Sequence, residues 1–253
     1  MQPMSFMECV KRAWASARAA ATQMPLLMLG AFVVYTVLGW IAFAGRPVPG
    51  EGEMPSGALV LAADIASLLN SIVYLGFVVK VHRFVLQGEH AAPLVPLGGK
   101  PLMRMFGVGV VLTFALIVTA LVLYAVLRPH YAGGVAFLGF LVGVVWIYIA
   151  VRLSLLFPSL SLGNPIALRA AWHDSRGHFW SLLGVPFVAV LPLALIAIGA
   201  VGITPAMLDS PARLLVLAAS QSLANIVFVL LTAAAQAWLY RRHAERLPAP
   251  PEV

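Results

Sequence analysis

The sequence predicts an all-α polytopic membrane protein with six transmembrane helices and short amphipathic helices at its cytoplasmic interface. Composition is the first observation: 62% of the 253 residues are hydrophobic and 10% are charged, whereas about 25% of a soluble globular chain is charged. The second observation is the mean hydropathy of +0.96. The third is that most Lys and Arg residues stand at the ends of apolar runs, where they mark membrane interfaces.

Six apolar runs each have the length of about 20 residues that an α-helix needs to cross a bilayer. They cover residues 24–44, 58–79, 105–127, 134–157, 180–203 and 212–239. Ser5 and Glu8 form a capping-box pattern ahead of the first run, which predicts an N-terminal interfacial helix. The Gly- and Pro-rich segment 45–57 indicates an extramembrane loop between the first two spans.

The domain prediction is a single six-helix transmembrane domain over residues 1–246, followed by a disordered, Pro-rich tail over 247–253. An Ala-Trp-x-x-x-Arg pattern begins at Ala13 and again at Ala171, each time ahead of a spanning run. This repetition predicts three units, each with a basic interfacial segment and two spans. The units cover about 5–86, 98–158 and 164–242.

Charge distribution predicts the orientation. Thirteen of the sixteen Lys and Arg residues fall in four segments, 1–23, 80–104, 152–178 and 241–253. With six spans all four segments lie on one side, and basic segments are retained in the cytoplasm. The prediction is therefore a multi-pass membrane protein with both termini in the cytoplasm. Lys80, Arg83 and Arg152, at the inner ends of spans, are expected to extend to the interface as anchors.

The most chemically mixed stretch is LRAAWHDSRGHFW, residues 168–180. Asn164 and Pro165 supply an N-cap and a first-turn proline, so we expect a helix over 165–177 that lies on the membrane surface. Its tryptophans suit headgroup depth, and each arginine near an anionic surface contributes about 1 kcal/mol. With the matching residues of the N-terminal helix, the candidate headgroup contacts are Arg12, Trp14, Arg18, Arg169, Trp172, Arg176 and Trp180.

The same stretch allows a catalytic or metal-binding alternative. Asp174 and His178 stand four residues apart, so they could pair on one helical face. A catalytic zinc needs three protein ligands, and the other histidines show no ligand spacing. We therefore predict no metal, no cofactor and no enzymatic activity, and an intramembrane enzyme acting on lipid headgroups stays as an alternative.

Polar residues inside two spans suggest a seam. Asp64 is the only carboxylate within a predicted span, and we expect the polar side chains near it to face those of the sixth span. The predicted seam consists of Asp64, Ser67, Asn70, Ser71, Gln221 and Asn225. Polar residues within spans join helices by hydrogen bonds. A carboxylate within a span is also typical of a cation or proton pathway. A small transporter or channel that uses this seam is therefore a second alternative.

One segment carries a family resemblance. The run VRLSLLFPSLSLGNPIALRAAWHDSRGHFWSLL, residues 151–183, resembles a pattern in six-span bacterial inner-membrane proteins, including the membrane domain found with some glycerophosphodiester phosphodiesterases. The matching residues are Arg152, Pro158, Trp172, Arg176, Gly177 and Trp180. In the fused proteins catalysis belongs to a separate soluble barrel domain. The resemblance therefore implies a membrane fold and no phosphodiesterase activity.

These observations favour a membrane-organising or accessory protein that contacts anionic lipid headgroups on its cytoplasmic face. Nucleic-acid binders cluster their basic residues on a soluble face, whereas here those residues flank apolar runs, so nucleic acid is excluded as a partner. Membrane lipids are the predicted partners. A protein partner and a homo-oligomer both stay open.

Overall fold

A computed structural model describes residues 5–45, 56–88, 99–127, 132–200 and 211–248 of the chain. Within these ranges the regular structure is entirely α-helical. The helices in chain order are α1 (Phe6–Gln23), α2 (Pro25–Ala44), α3 (Gly57–Gln87), α4 (Gly99–Leu127), α5 (Ala132–Leu153), α6 (Leu156–Ser161), α7 (Leu168–Asp174), α8 (Phe179–Ala200) and α9 (Pro211–His243). The all-α prediction is confirmed for this part of the chain.

Five of the described helices, α2, α3, α4, α8 and α9, are long and apolar enough to cross a membrane. The fourth predicted span corresponds to α5. Its described apolar part, Phe137–Leu153, is shorter than a full span. The chain is therefore a helical protein of the multi-pass membrane class, and five of its six predicted spans meet the criteria of length and hydropathy.

Several helices end at different places from the predicted spans. The second span was expected to end at residue 79, but α3 continues to Gln87, and α4 begins at Gly99 rather than at 105. Hydropathy marks only the apolar part of a helix, whereas the backbone hydrogen bonds continue through basic residues whose side chains reach outward. The middle predicted unit therefore has no separate interfacial helix ahead of its spans. Helix α5 ends at Leu153, and α6 begins within the predicted fourth span and continues beyond it to Ser161.

Helix α9 is the centre of the bundle and packs against α1, α2, α3, α6 and α8. Its buried face carries small residues, among them Ala233, Ala234 and Ala237. Small side chains let helix backbones approach closely. Membrane helices associate through such packing, because lipid tails are as apolar as the side chains and the hydrophobic effect does not drive the helices together. Helices α4 and α5 instead expose most of their large apolar side chains, as expected for surfaces in contact with lipid.

Helix α1 begins as the sequence predicts. The Ser5 Oγ atom accepts a hydrogen bond from the Glu8 backbone N–H at 3.2 Å, while the Glu8 carboxylate binds Arg12 at 2.6 Å instead of closing the capping box. One face of α1, including Cys9 and Ala13, is buried against the bundle. The helix therefore lies on α8 and α9.

The four basic segments meet at one end of the bundle, which we call the basic end. The Arg83 Nε atom donates to the Ser161 carbonyl oxygen at 2.9 Å. Arg104 donates to the carbonyl oxygen of Gly163 at 2.6 Å, and Arg241 donates to that of Leu86 at 2.9 Å. Ser161 and Leu86 stand in the last turns of α6 and α3, where carbonyl groups have no partner within the helix, and Gly163 lies just after α6. The three arginines therefore hold the chain segments together at the basic end and also give this end its positive charge.

The first two residues of the predicted Pro-rich tail contact the rest of the bundle. Leu247 is 2% exposed, and the Tyr240 hydroxyl donates a hydrogen bond to the Pro248 carbonyl oxygen. A Pro-rich composition did not predict these contacts, because composition does not determine where an individual leucine packs. Residues 249–253 lie outside the described ranges.

Candidate anion-binding site at the basic end

The mixed stretch folds as α7, which is shorter than predicted. The helix begins at Leu168 instead of 165, and Ala167 is its N-cap residue, with no side-chain hydrogen bond. The predicted cap, Asn164, donates from its side chain to the Ser159 Oγ atom at 3.2 Å, so it supports the end of α6. At the other end Gly177 adopts a positive φ of 82°, a conformation that favours glycine and lets the chain turn into α8.

Asp174 ties α7 to the C-terminal segment of the chain. Its buried carboxylate accepts hydrogen bonds from the backbone N–H groups of Glu245, Arg246 and Leu247 at 2.9–3.1 Å. Successive backbone N–H groups of this kind form a concave anion-binding nest. The contact joins residues about 70 positions apart in the sequence, so spacing gave no sign of it.

The predicted alternative pairing of Asp174 with His178 is not the arrangement found. The His178 ring stacks on His243, with 4.1 Å between centroids and an angle of 26° between planes. His173 is the histidine nearest to the carboxylate, with 3.9 Å between its Nδ1 atom and Asp174 Oδ1. Each member of the predicted pair therefore has a different partner. Over the described ranges there is also no group of three or more His, Cys, Asp or Glu residues placed to hold a metal ion.

A cavity of about 310 Å³ lies where α5 ends, beside α7 and the C-terminal segment. We call it the arginine cavity, and it is lined by Arg152, Arg169, Trp172, His173, Arg176 and Arg246. The lining contains four guanidinium groups and no carboxylate, because Asp174 faces the backbone amides described above. A concentration of positive charge without a counter-charge is an anion-binding arrangement.

Arg152 is the buried member of this set. It is 5% exposed, and its guanidinium carbon lies 4.6 Å from the centroid of the Trp172 ring and 5.9 Å from that of Tyr148. It was expected to extend to the interface as an anchor, but the two rings hold it beneath α7 by cation–π contacts. Its Nε atom has no hydrogen-bond partner within the described residues. A buried charged donor of this kind is stabilised when an anion binds.

The other predicted headgroup contacts are spread over the basic end. Arg12 lies 4.9 Å from the centroid of the Trp238 ring and is paired with Glu8. Trp14 and Arg18 line a separate groove on α1. Trp180 is 79% exposed and contacts Phe179 edge-on. The structure therefore brings together Arg169, Trp172 and Arg176, and it leaves the α1 residues as a second surface.

Three lining residues were missed by the sequence analysis as site residues. Arg152 stands four residues after Tyr148, a spacing that places an arginine beside an aromatic ring on a helix, so this residue carried a local signal. His173 lies between two recognised residues and was set aside with the metal alternative. Arg246 reaches the cavity only because Asp174 holds the segment after α9, and no local pattern predicts that.

The residues of the predicted polar seam are divided between two places. Ser67, Asn70, Gln221 and Asn225 line one cavity between α2, α3 and α9. Asp64 is exposed and does not line it. Ser71 instead lines a groove between α3 and α4, together with Tyr74, Phe106 and Thr113. Asn70 borders both this groove and the cavity.

Comparisons with protein-family models, with curated proteins and with solved structures find no match to this chain. The resemblance of residues 151–183 to six-span inner-membrane proteins therefore stays a prediction. The geometry of the two cavities is the basis for the functional argument.

Proposed function

We propose that the chain is a non-enzymatic integral protein of the bacterial inner membrane that binds anionic lipid headgroups at its basic end. In this proposal it organises lipid or serves as an accessory subunit, with six spans and both termini in the cytoplasm. The observation that carries the proposal is the arginine cavity, whose six lining residues include four arginines and no acidic residue.

The positions of helix ends support six spans. Helix α4 begins at the basic end, where Arg104 binds the carbonyl oxygens of Gly163 and Asn164. Helix α5 ends at the same end, where Arg152 lies against Trp172. The chain therefore leaves this end along α4 and returns along α5. With 22 residues, α5 measures about 33 Å at 1.5 Å per residue, which matches the apolar thickness of a bilayer.

Packing of the two termini supports a common side for both. Helix α1 lies against α9, and the Trp238 Nε1 atom donates to Ser16 Oγ at 3.0 Å. The Arg12 and Arg241 guanidinium groups lie on that same tryptophan, at 4.9 and 5.0 Å from its centroid. Basic residues concentrate in the cytoplasm, so this end is the cytoplasmic one in the proposal.

The chemistry of the lining favours a phosphate-bearing headgroup. A guanidinium group binds two oxygens of a phosphate at once, with charge-assisted hydrogen bonds. Trp172 and the exposed Trp180 have the amphipathic rings that favour the headgroup depth of a membrane. An anionic lipid can therefore present its phosphate to the arginines while its chains stay in the bilayer.

The test is quantitative mass spectrometry of lipids that co-purify with the full chain from its native membrane in a mild detergent. We expect enrichment of anionic phospholipids over the bulk membrane. In the double variant Arg169→Ala/Arg176→Ala the enrichment falls about fivefold or more, since each arginine contributes about 1 kcal/mol near an anionic surface.

A matched control removes the same charge from the other predicted side of the membrane. The double variant Arg46→Ala/Arg213→Ala changes two arginines outside the four basic segments, and its lipid profile should equal that of the wild type. Equal enrichment in both double variants contradicts headgroup binding at the arginine cavity. A stoichiometric protein that co-purifies with all three chains supports the accessory role.

A further inference from the structure

A second cavity lies in the half of the bundle away from the basic end, between α2, α3 and α9. Its volume is about 470 Å³, within the range of small-molecule sites in proteins. We call it the amide cavity, after the three carboxamides in its polar lining. The polar lining residues are Tyr35, Ser67, Asn70, Gln221, Ser222 and Asn225.

The cavity is deep but does not pass through the bundle. Tyr35 stands nine residues before the end of α2, about 14 Å along the helix axis, and it is 2% exposed. Its ring packs edge-on against the fully buried Phe77, with 6.4 Å between centroids. Among the lining residues of α2, Tyr35 is the one nearest to the basic end. Ser67 and Gln221 are exposed, so the cavity reaches the surface of the described part of the chain at their level.

The lining carries no formal charge. Among the residues that line the cavity, all of them described, there is no Asp, Glu, Lys, Arg or His. Carboxamides and hydroxyls each donate and accept hydrogen bonds, so the lining matches a solute that does both. A charged solute finds no counter-charge here, and a charge at membrane depth is strongly disfavoured without one.

Two polar atoms of the lining point to an occupant. The Tyr35 hydroxyl and the Asn70 Oδ1 atom are buried and have no hydrogen-bond partner in the part of the chain that the structure describes. The Ser67 and Ser222 hydroxyls, by contrast, bind carbonyl oxygens of their own helices at 2.8 and 2.6 Å. Buried polar atoms in proteins are nearly always paired. Both groups belong to residues that line the cavity, so a hydrogen-bonding molecule held there lies beside an unpaired hydroxyl and an unpaired acceptor.

We propose that the amide cavity binds a small, neutral solute with both hydrogen-bond donors and acceptors, a polyol or a carboxamide. The polar seam then serves as a binding site in which Asp64 takes no part. The proposal is independent of headgroup binding, because the two cavities share no residue.

The first test is saturation-transfer NMR on the full chain in nanodiscs, with glycerol as the polyol and acetamide as the carboxamide. Lactate and 3-aminopropanol are charged solutes of similar size. We expect transfer to at least one neutral probe and none to the charged pair. The variant Asn70→Leu should lower the affinity for that probe about tenfold, the change that one lost hydrogen bond brings.

A matched control lies on α9 outside the cavity. The Thr232 hydroxyl binds the carbonyl oxygen of Phe228 in its own helix at 2.7 Å, so Thr232→Val removes one polar group from the helix and should leave the affinity unchanged. No transfer to either neutral probe overturns the proposal, as does equal transfer to a charged one. Equal loss in Asn70→Leu and Thr232→Val overturns it too.

A labelling measurement keeps the test valid if Asn70→Leu fails to fold. Cys9 is the chain's single cysteine and is fully buried, so Cys9→Ala gives a background without reactive thiols. On it, Ser67→Cys places a thiol at the cavity and Ser220→Cys places one on the exposed surface of α9. We expect acetamide to slow maleimide labelling of the first variant only. Equal labelling of the first variant with and without acetamide overturns the proposal.

Discussion

The arginine cavity is lined by four guanidinium groups, whereas the polar lining of the amide cavity is neutral. The first lies at the end of the bundle, where water and headgroups solvate charge. The second reaches to the middle of spanning helices, where an unpaired charge is strongly disfavoured. The comparison teaches that depth in the membrane decides which polar side chains a cavity can use, and therefore which class of ligand it can hold.

The largest effect is expected from breaking the support of the arginine cavity. Asp174→Ala removes the acceptor for three backbone N–H groups and should lower the free energy of unfolding by about 3 kcal/mol. Thermal unfolding in detergent measures the change. Glu8→Ala is the control, since its exposed pair with Arg12 is worth at most about 1 kcal/mol. Equal stability of the two variants would mean that Asp174 does not hold the C-terminal segment.

Packing at the opposite end is tested by two glycines, Gly39 in α2 and Gly45, the residue that caps the C-terminus of α2. A Cβ atom at Gly45 would overlap Ala63 and lie 2.7 Å from the Leu59 carbonyl oxygen, whereas one at Gly39 would lie 3.7 Å from Ala218. Gly45→Ala should therefore cost about 2 kcal/mol through overpacking, and Gly39→Ala less than about 0.5 kcal/mol. The same unfolding measurement applies to both. A tolerated Gly45→Ala would contradict the close approach of α2 and α3.

The third prediction separates charge from geometry in the arginine cavity. Arg152→Lys keeps the positive charge but loses the planar fork that stacks on Trp172 and binds two phosphate oxygens. We expect affinity for vesicles of phosphatidylglycerol to fall about tenfold, equivalent to about 1.4 kcal/mol. Lys80→Arg is a control for exchange at another basic position. Unchanged affinity in Arg152→Lys would mean that the site binds the vesicles through its positive charge alone and not through the geometry of the guanidinium group.

The smallest effect is expected on the second basic surface. Arg18 lines the groove on α1, outside the arginine cavity, so Arg18→Ala removes only one long-range charge. Binding to the same vesicles should fall about fivefold or less, and the loss should vanish at high salt because exposed charges are screened. A loss that persists at high salt would show that α1 carries a specific site of its own.

Much of the fold follows from the sequence because apolar length and terminal charge are local properties. The capping hydrogen bond of Ser5 and the meeting of the basic segments were both predicted correctly. The start of α7 was misplaced because Asn164 has a competing partner in Ser159. That partner lies in α6, a helix hidden within an apolar run, so residue type alone could not separate the two roles.

The candidate sites were predictable only in part. Arg169, Trp172 and Arg176 share one short segment and could be grouped by spacing. Arg246 could not, because it reaches the cavity through a contact between Asp174 and distant backbone amides. For the polar seam, helical spacing placed Ser67 and Ser71 on one stripe of α3 with Asn70 beside it, whereas the structure has Ser67 and Ser71 at different cavities. It could not decide that Asp64, one turn earlier, stays outside the cavity.

Photocrosslinking with phosphatidylglycerol that carries a photoreactive group on its headgroup tests the central claim most directly. The wild-type chain in nanodiscs is irradiated, digested and analysed by mass spectrometry. Headgroup binding at the arginine cavity predicts adducts concentrated on three segments, 148–152, 169–176 and 243–248, and their loss in Arg169→Ala/Arg176→Ala. Adducts spread evenly along both membrane faces, or unchanged in that variant, would contradict the claim.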